Sequence, residues 1–224
     1  MLGKVLLITG GEVNLEFVRK YIDSISYDTV ICADSGLNTA YRLKLPVHYF
    51  MGDFDSVTPQ ILESYRNGTV AGSEACEWVR YPKEKDYTDT HIAIINALKA
   101  GASVIYILGA TGTRMDHTFT NICNMKAALD SGVPCFICDS HNKIYLINDK
   151  MGEVKVSKTG QYGDYVSFVS LSEETIISLA GFKYVLDDYI LHQGLSICQS
   201  NEIKENVAVI NIKKGLVIVF ETKD

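Results

Sequence analysis

The chain has 224 residues, 47% of them hydrophobic, and its 21 basic against 27 acidic side chains give a formal net charge of −6. That length holds one large domain or two small ones, and the apolar share is enough for a buried core, which excludes a disordered chain. Binding many phosphates by counterion release needs a dense basic face; here the basic residues are scattered, which excludes nucleic acid as a partner.

The first apolar run, Val5 to Ile8, is too short for a signal-peptide core, and no window approaches about 18 apolar residues. No membrane segment and a cytoplasmic location are therefore expected. The six cysteines sit mostly within apolar runs, as Cys32 does, the pattern of buried free thiols. Cys135-x-x-Cys138 has ligand-like spacing, but it reads as a strand that sends the two side chains to opposite faces, and no second Cys/His pair lies near it; a zinc site is not expected.

In chain order, short β-branched runs predict strands over Lys4–Thr9, Thr29–Ala33, His48–Met51, Val79–Tyr81, Val104–Leu108 and Pro134–Cys138, with helices between most of them. Thr88–Ala100 carries Ile92, Ala93, Ile95 and Leu98 at helical spacing and Gly101 just past its end, so it reads as a helix. Asp116–Ser131 carries Phe119, Ile122, Cys123, Met125 and Leu129 on one stripe and stops at Gly132-Val133-Pro134; Leu37–Leu43 is a shorter helix stopped by Pro46. Beyond about residue 140 helical periodicity gives way to strands at Lys143–Ile147, Glu153–Val156, Tyr165–Leu171, Ile176–Leu179, Gly194–Cys198, Val207–Ile212 and Leu216–Glu221, with Lys213-Lys214-Gly215 as a hairpin turn. The expected fold is an α/β, doubly wound parallel-sheet domain over residues 1–140, followed by a small, mostly antiparallel β domain of sandwich or barrel type over 141–224.

In an open parallel sheet, ligands bind beyond the carboxyl ends of the strands. The loops found there are Ala33-Asp34-Ser35-Gly36, Gly52-Asp53-Phe54-Asp55-Ser56, Lys83 to Asp89, and Gly109 to His117. If Gly52–Ser56 is extended, Asp53 and Asp55 project to one side and Phe54 to the other. Asp86 and Asp89, three apart at a helix start, share a face, and Asp34 joins them. So many carboxylates on one rim repel unless a cation is bound, and hard oxygen donors suit Mg²⁺ held together with substrate phosphates. The Gly109–Arg114 loop, lying between a strand and a helix, offers backbone N–H groups to anionic oxygens, with Arg114 to stabilise charge on a transferring group. Each feature also has a plainer meaning: Asp34 or Asp86 as a helix cap, the glycines as an ordinary strand-to-helix turn, and His117 as a base or as a structural hydrogen-bonding group.

Taken together and in this order, these loops resemble the thiamine pyrophosphokinase family, with Ser200-Asn201-Glu202 as a weaker fifth match. Ser35 and Thr113 stand where the family often has glycine. The resemblance implies transfer of a pyrophosphoryl group from ATP to thiamine with AMP as the other product, Mg²⁺ as cofactor, and a homodimer with the active site at the subunit interface. It also implies a catalytic ATP/Mg domain over 1–140 and a thiamine-binding and dimerisation domain over 141–224. On that reading Asp53, Asp55 and Asp89 hold the metal, and Gly109, Thr111, Gly112, Arg114 and His117 bind ATP. Asp34, Asp86, Arg114 and Asp116 serve catalysis, and Ser200 and Asn201 contact thiamine. Asp116 either orients Arg114 or accepts the thiamine hydroxyl proton. The aspartates alone equally suit another Mg²⁺-dependent phosphotransferase acting on a small alcohol, and a non-catalytic nucleotide-sensing module is the reading from another class.

Overall fold

The computed structural model describes residues 1–82, 84 and 86–224; Lys83 and Lys85 of the fourth loop lie outside the described residues. Two compact units divide the chain, Met1–Ser140 and His141–Asp224. No helix among the described residues is long and apolar enough to cross a membrane.

In the first unit the β-branched runs become β1 (Gly3–Ile8), β2 (Thr29–Ala33), β3 (Tyr49–Gly52), β4 (Glu77–Arg80), β5 (Ala102–Leu108) and β6 (Cys135–Cys138). They pair in parallel in the order β4-β3-β2-β1-β5-β6. The chain steps outward from β1 to β4, then returns to the far side of β1, so the winding reverses between β1 and β5. Ile8 is in register with both Cys32 and Leu108, which brings the carboxyl ends of these strands to one edge.

The helices are α1 (Leu15–Ser24), α2 (Gly36–Leu43), α3 (Pro59–Arg66), α4 (Asp89–Lys99), α5 (Met115–Asn124) and α6 (Lys126–Asp130). Strand alternation sends Leu6 and Ile8 to one face of the sheet and Val5 and Leu7 to the other, and all four are 0% exposed, as a sheet covered on both faces requires. Leu6 and Ile8 share a core with Val18 and Ile22 of α1, Leu37 and Ala40 of α2, and Tyr65 of α3. α4 packs on β2, β3 and β5.

Helix faces differ from the sequence pattern in two places. α4 buries Thr90, Ala93, Ile94 and Ala97, leaving Ile92, Ile95 and Leu98 half-buried, because alanines let helix and strand backbones approach closely. The single helix expected over 116–131 breaks at Met125, whose N–H reaches back only three residues to the Ile122 carbonyl at 3.2 Å. Within α5, Phe119 is 54% exposed and Asn121 is buried instead. α1 and α3, which lie between predicted strands, carry their own start signals: the Asn14 side chain accepts the Phe17 N–H, and Pro59 opens α3.

The second unit contains β7 (Asn142–Asn148), β8 (Glu153–Ser157), β9 (Tyr165–Ser170), β10 (Glu174–Ala180), β11 (Leu186–His192), β12 (Val207–Lys214) and β13 (Leu216–Thr222). They form two antiparallel sheets, β7-β13-β9 and β11-β10-β12-β8. Phe168, Val217 and Val219 of one and Ile177, Leu191 and Ile210 of the other are fully buried. An α/β parallel-sheet part followed by an antiparallel β part is thus the fold.

Two expectations fail here. Gly194–Cys198 is a turn, and the strand lies just before it, at β11. β11 has a single buried residue, Leu191, so it lacks the alternation by which a half-buried strand is recognised. Lys213-Lys214-Gly215 is not a hairpin: β12 pairs with β10 and β8, whereas β13 pairs with β7 and β9. Gly215, at φ +104°, carries the chain from one sheet into the other, where a Cβ would sit 2.6 Å from Thr175 Oγ1.

Glu221 of β13 is 1% exposed. One carboxylate oxygen accepts Lys143 Nζ at 3.0 Å and the other the Tyr162 N–H at 2.8 Å. Burial, and then the neighbouring Glu221 carboxylate, push the Tyr145 phenol well up. Glu221→Ala removes a buried carboxylate that all three groups use, and urea denaturation should show a loss of roughly 2–4 kcal/mol. At the surface, hydrogen bonds from Lys183 and Lys204 hold Glu202 at about 2, below its ordinary 4.5. Its stabilising contribution is therefore complete above about pH 5 and lost as pH falls toward 2. The urea midpoint of Glu202→Gln should fall less than that of the parent between pH 5 and pH 2.

Candidate active site

The winding reversal opens a cleft of about 600 Å³, lined by the loops after β1, β2 and β5 and by the approach to α4. Thr9, Gly10, Gly11 and Glu12 belong to it, and the sequence reading missed them. The signal was present in Gly10-Gly11, which directly follows an apolar run. The Gly11 N–H donates to the Gly109 carbonyl at 2.7 Å, and the Glu12 N–H to the Thr111 carbonyl at 2.9 Å. A Cβ on Gly11 would lie 2.3 Å from the Gly109 oxygen, so only glycine permits this approach.

α5 begins at the cleft. Its N-cap is Arg114, whose own side chain does not cap it, and the positive end of a helix suits an anion. The loop leading into it is braced from behind: buried Asn121 donates from Nδ2 to the Ala110 carbonyl at 2.9 Å, and Thr111 Oγ1 donates to Asp139 at 2.8 Å. Asn121, too, escaped the sequence reading, because an apolar stripe was sought where a polar residue is buried. Gly109, Thr111, Gly112, Arg114 and His117 all line the cleft.

Arg114 donates from both Nη2 and Nε to Asp116, at 2.6 and 3.3 Å. This pairing holds the Asp116 carboxyl below its ordinary range and raises Arg114. Of the two roles open to Asp116 in the sequence, the geometry favours orienting Arg114.

The carboxylates gather at the ends of β2 and β3. The Asp34 N–H donates to the Met51 carbonyl at 2.9 Å, Ser56 Oγ donates to the Asp34 carboxylate, and the Asn38 amide holds the Ser56 carbonyl at 3.2 Å. The Gly52–Ser56 loop is not extended. Phe54 has φ +72°, and the Asp55 N–H turns back to Asp53 Oδ1 at 3.1 Å. Oxygens of Asp34, Asp53 and Asp55 nevertheless lie within 4.8 Å of one another, an all-oxygen donor set that fits Mg²⁺. Asp34 therefore stands with Asp53 and Asp55 rather than outside them.

Asp89 opens α4, where Thr88 caps the helix by accepting the His91 N–H at 3.3 Å. Asp86 precedes the helix, so the helical face expected to carry both aspartates does not form, although both line the cleft. Neither Asp34 nor Asp86 is a helix cap; Ser35 and Thr88 hold those positions. Ser35, standing where the family often has glycine, donates to the Gly10 carbonyl at 3.3 Å.

In the second unit, Ser200 is exposed at φ +51°. Asn201 is 2% exposed: its Oδ1 accepts the Tyr184 and Glu202 N–H groups at 3.0 Å, and its Nδ2 donates to the Tyr184 carbonyl at 2.7 Å. The Asn201 side chain thus holds this loop in place.

The family model for the thiamin pyrophosphokinase catalytic domain matches residues 19–137, and that for the thiamin pyrophosphokinase vitamin B1 binding domain matches 153–217. The thiamine pyrophosphokinase of Bacillus subtilis (strain 168) is 29% identical over 226 residues, covering 97% of this chain and 98% of its own. Thiamin pyrophosphokinase 1 of Caenorhabditis elegans is 26% identical over 87% of this chain and 79% of its own. Among solved structures, a thiamine pyrophosphokinase from Bacillus subtilis superposes with a TM-score of 0.85 at 26% identity over 99% of each chain. A family protein from Enterococcus faecalis superposes with a TM-score of 0.78 at 28% identity, again over 99% of each. With both family models matched in succession, the chain belongs to the thiamine pyrophosphokinase family.

Proposed function

We propose that the chain transfers the pyrophosphoryl group of ATP to the hydroxyl of thiamine, yielding thiamine diphosphate and AMP. The observation that carries this reading is the match of both family models, catalytic and vitamin B1 binding, one after the other. A different phosphotransferase or a nucleotide sensor is not favoured, since neither accounts for the second match.

An alcohol attacks the β-phosphorus and AMP leaves, so catalysis consists mainly of alignment and charge stabilisation. Glycine-walled backbone at Gly109 and Gly112, with Thr111, His117 and the start of α5, binds the triphosphate. Arg114, kept in place by Asp116, meets the charge that grows on the migrating group. Asp34, Asp53 and Asp55 hold Mg²⁺, with Asp89 alongside; when bound, the ion neutralises phosphate charge. Asp86 positions the thiamine hydroxyl. Ser200 contacts thiamine, and Asn201 supports it by fixing the loop. In this proposal residues 1–140 form the catalytic ATP/Mg part and 141–224 the thiamine-binding and dimerisation part. A homodimer with its active site at the subunit interface and a cytoplasmic location belong to the same reading.

Incubated with ATP, Mg²⁺ and thiamine, the protein should release AMP and thiamine diphosphate in equal amounts by chromatography; ADP in place of AMP would refute pyrophosphoryl transfer. Asp55→Asn should reduce kcat by about 10- to 100-fold, while its unfolding free energy falls by no more than about 0.5 kcal/mol, because the residue is exposed. Arg114→Ala should cost about 100- to 1,000-fold in kcat. Asp116→Asn, which acts through Arg114, should cost less, and steady-state kinetics on the two variants will check the order.

A further inference from the structure

Phe54 sits between two of the clustered aspartates, in a backbone conformation that glycine adopts freely and a bulky side chain avoids. Its φ is +72°. The backbone alone would be more comfortable with glycine, so the ring must contribute something that offsets the strain.

The ring is held on several sides. It stacks on Phe50 with centroids 4.6 Å apart and planes 22° from parallel. Trp78 of β4 meets it edge-on at 5.7 Å and meets Phe50 at 5.3 Å. The Arg80 guanidinium lies 5.9 Å from the Phe54 centroid, and that of Arg66 lies 4.8 Å from Trp78. Phe50 itself is 0% exposed on β3, a strand paired on both sides, so the ring is anchored to the packed core of this unit.

With the ring fixed there, the residues on either side turn away from the core. The turn is closed by the Asp55 N–H on Asp53 Oδ1 at 3.1 Å, and oxygens of Asp53 and Asp55 come within 4.8 Å of each other and of Asp34. Like charges so close repel, and a surface loop free to relax would separate them. We infer that Phe54 is a positioning residue for the aspartate cluster: the seating of its ring against Phe50 and Trp78 keeps Asp53 and Asp55 converged, and so sets the affinity for a divalent cation. This inference rests on the metal-binding role given to these aspartates under the proposed function.

The test uses Mn²⁺ alone as the binding probe, read by electron paramagnetic resonance on the full chain, alongside steady-state kinetics. Phe54→Gly relieves the backbone while removing the ring. It should weaken Mn²⁺ binding by about tenfold or more and raise the half-saturating Mg²⁺ concentration in parallel, with kcat largely recovered at excess Mg²⁺ and the thiamine KM within about twofold of the parent. Phe54→Tyr, which keeps the ring, should behave as the parent. Should Phe54→Gly fail to fold, Phe54→Leu, which fills space without stacking, carries the same expectation. Parent-like Mn²⁺ affinity in the ring-less variant overturns the inference, as does a kcat loss that excess Mg²⁺ does not recover. Asp55→Asn separates the two levels. If it weakens Mn²⁺ binding and Phe54→Gly does not, the positioning role alone falls; if it leaves Mn²⁺ binding unchanged, the metal assignment falls and the inference with it.

Discussion

The geometry of the cleft depends on two stretches of backbone lying closer than side chains would allow. Gly11 and Gly109 hydrogen-bond across the point where the sheet reverses its winding, and neither the loop after β1 nor the loop after β5 could take its course with a larger residue at 11. Their closure aims the N-terminus of α5 into the cleft and leaves Arg114 at its mouth. In the proposed function, anion binding is thus a task for main chain held by sheet topology, to which the charged side chains are added.

Beside this frame lies its electrostatic complement. The aspartates of β2 and β3 make a region that is costly without a cation, and the fold meets that cost through local constraints: an Asx turn, the Ser56 and Asn38 hydrogen bonds, and an aromatic ring set in the core. Backbone donors on one side and carboxylates on the other suit a ligand that carries both negative charge and a bound metal, as a nucleotide triphosphate with Mg²⁺ does.

Strand positions were legible because parallel strands buried on both faces read as continuous β-branched runs, and β1 and β2 are of this kind. The aspartate and glycine loops followed from the rule that ligands gather at strand ends. The end of β1 carries the same signal in Gly10-Gly11, directly after an apolar run. Asn121 stayed hidden because a buried amide that braces a loop leaves no periodic trace. The turn at Asp53–Asp55 is not legible, because nothing in a run of five residues reveals that Phe54 is pulled into the core. β11 and the crossing at Gly215 were lost for a related reason: the first is exposed almost throughout, and the second depends on which distant strands pair, which local sequence does not encode.

The crossing at Gly215 also governs when the second unit can form. β12 lies between β10 and β8, and β13 between β7 and β9, so an interior strand of one sheet and the centre of the other are consecutive pieces of chain, over residues 207–222. On the ribosome, β7, β8, β9 and the β10–β11 pair emerge before their β12 or β13 partners, and neither sheet can close until residues 207–222 have been released. The strands of the first unit, by contrast, are all available within residues 1–140. Synthesis of the second unit therefore leaves several strand edges open until its last strands appear, and open edges are templates for pairing with another chain.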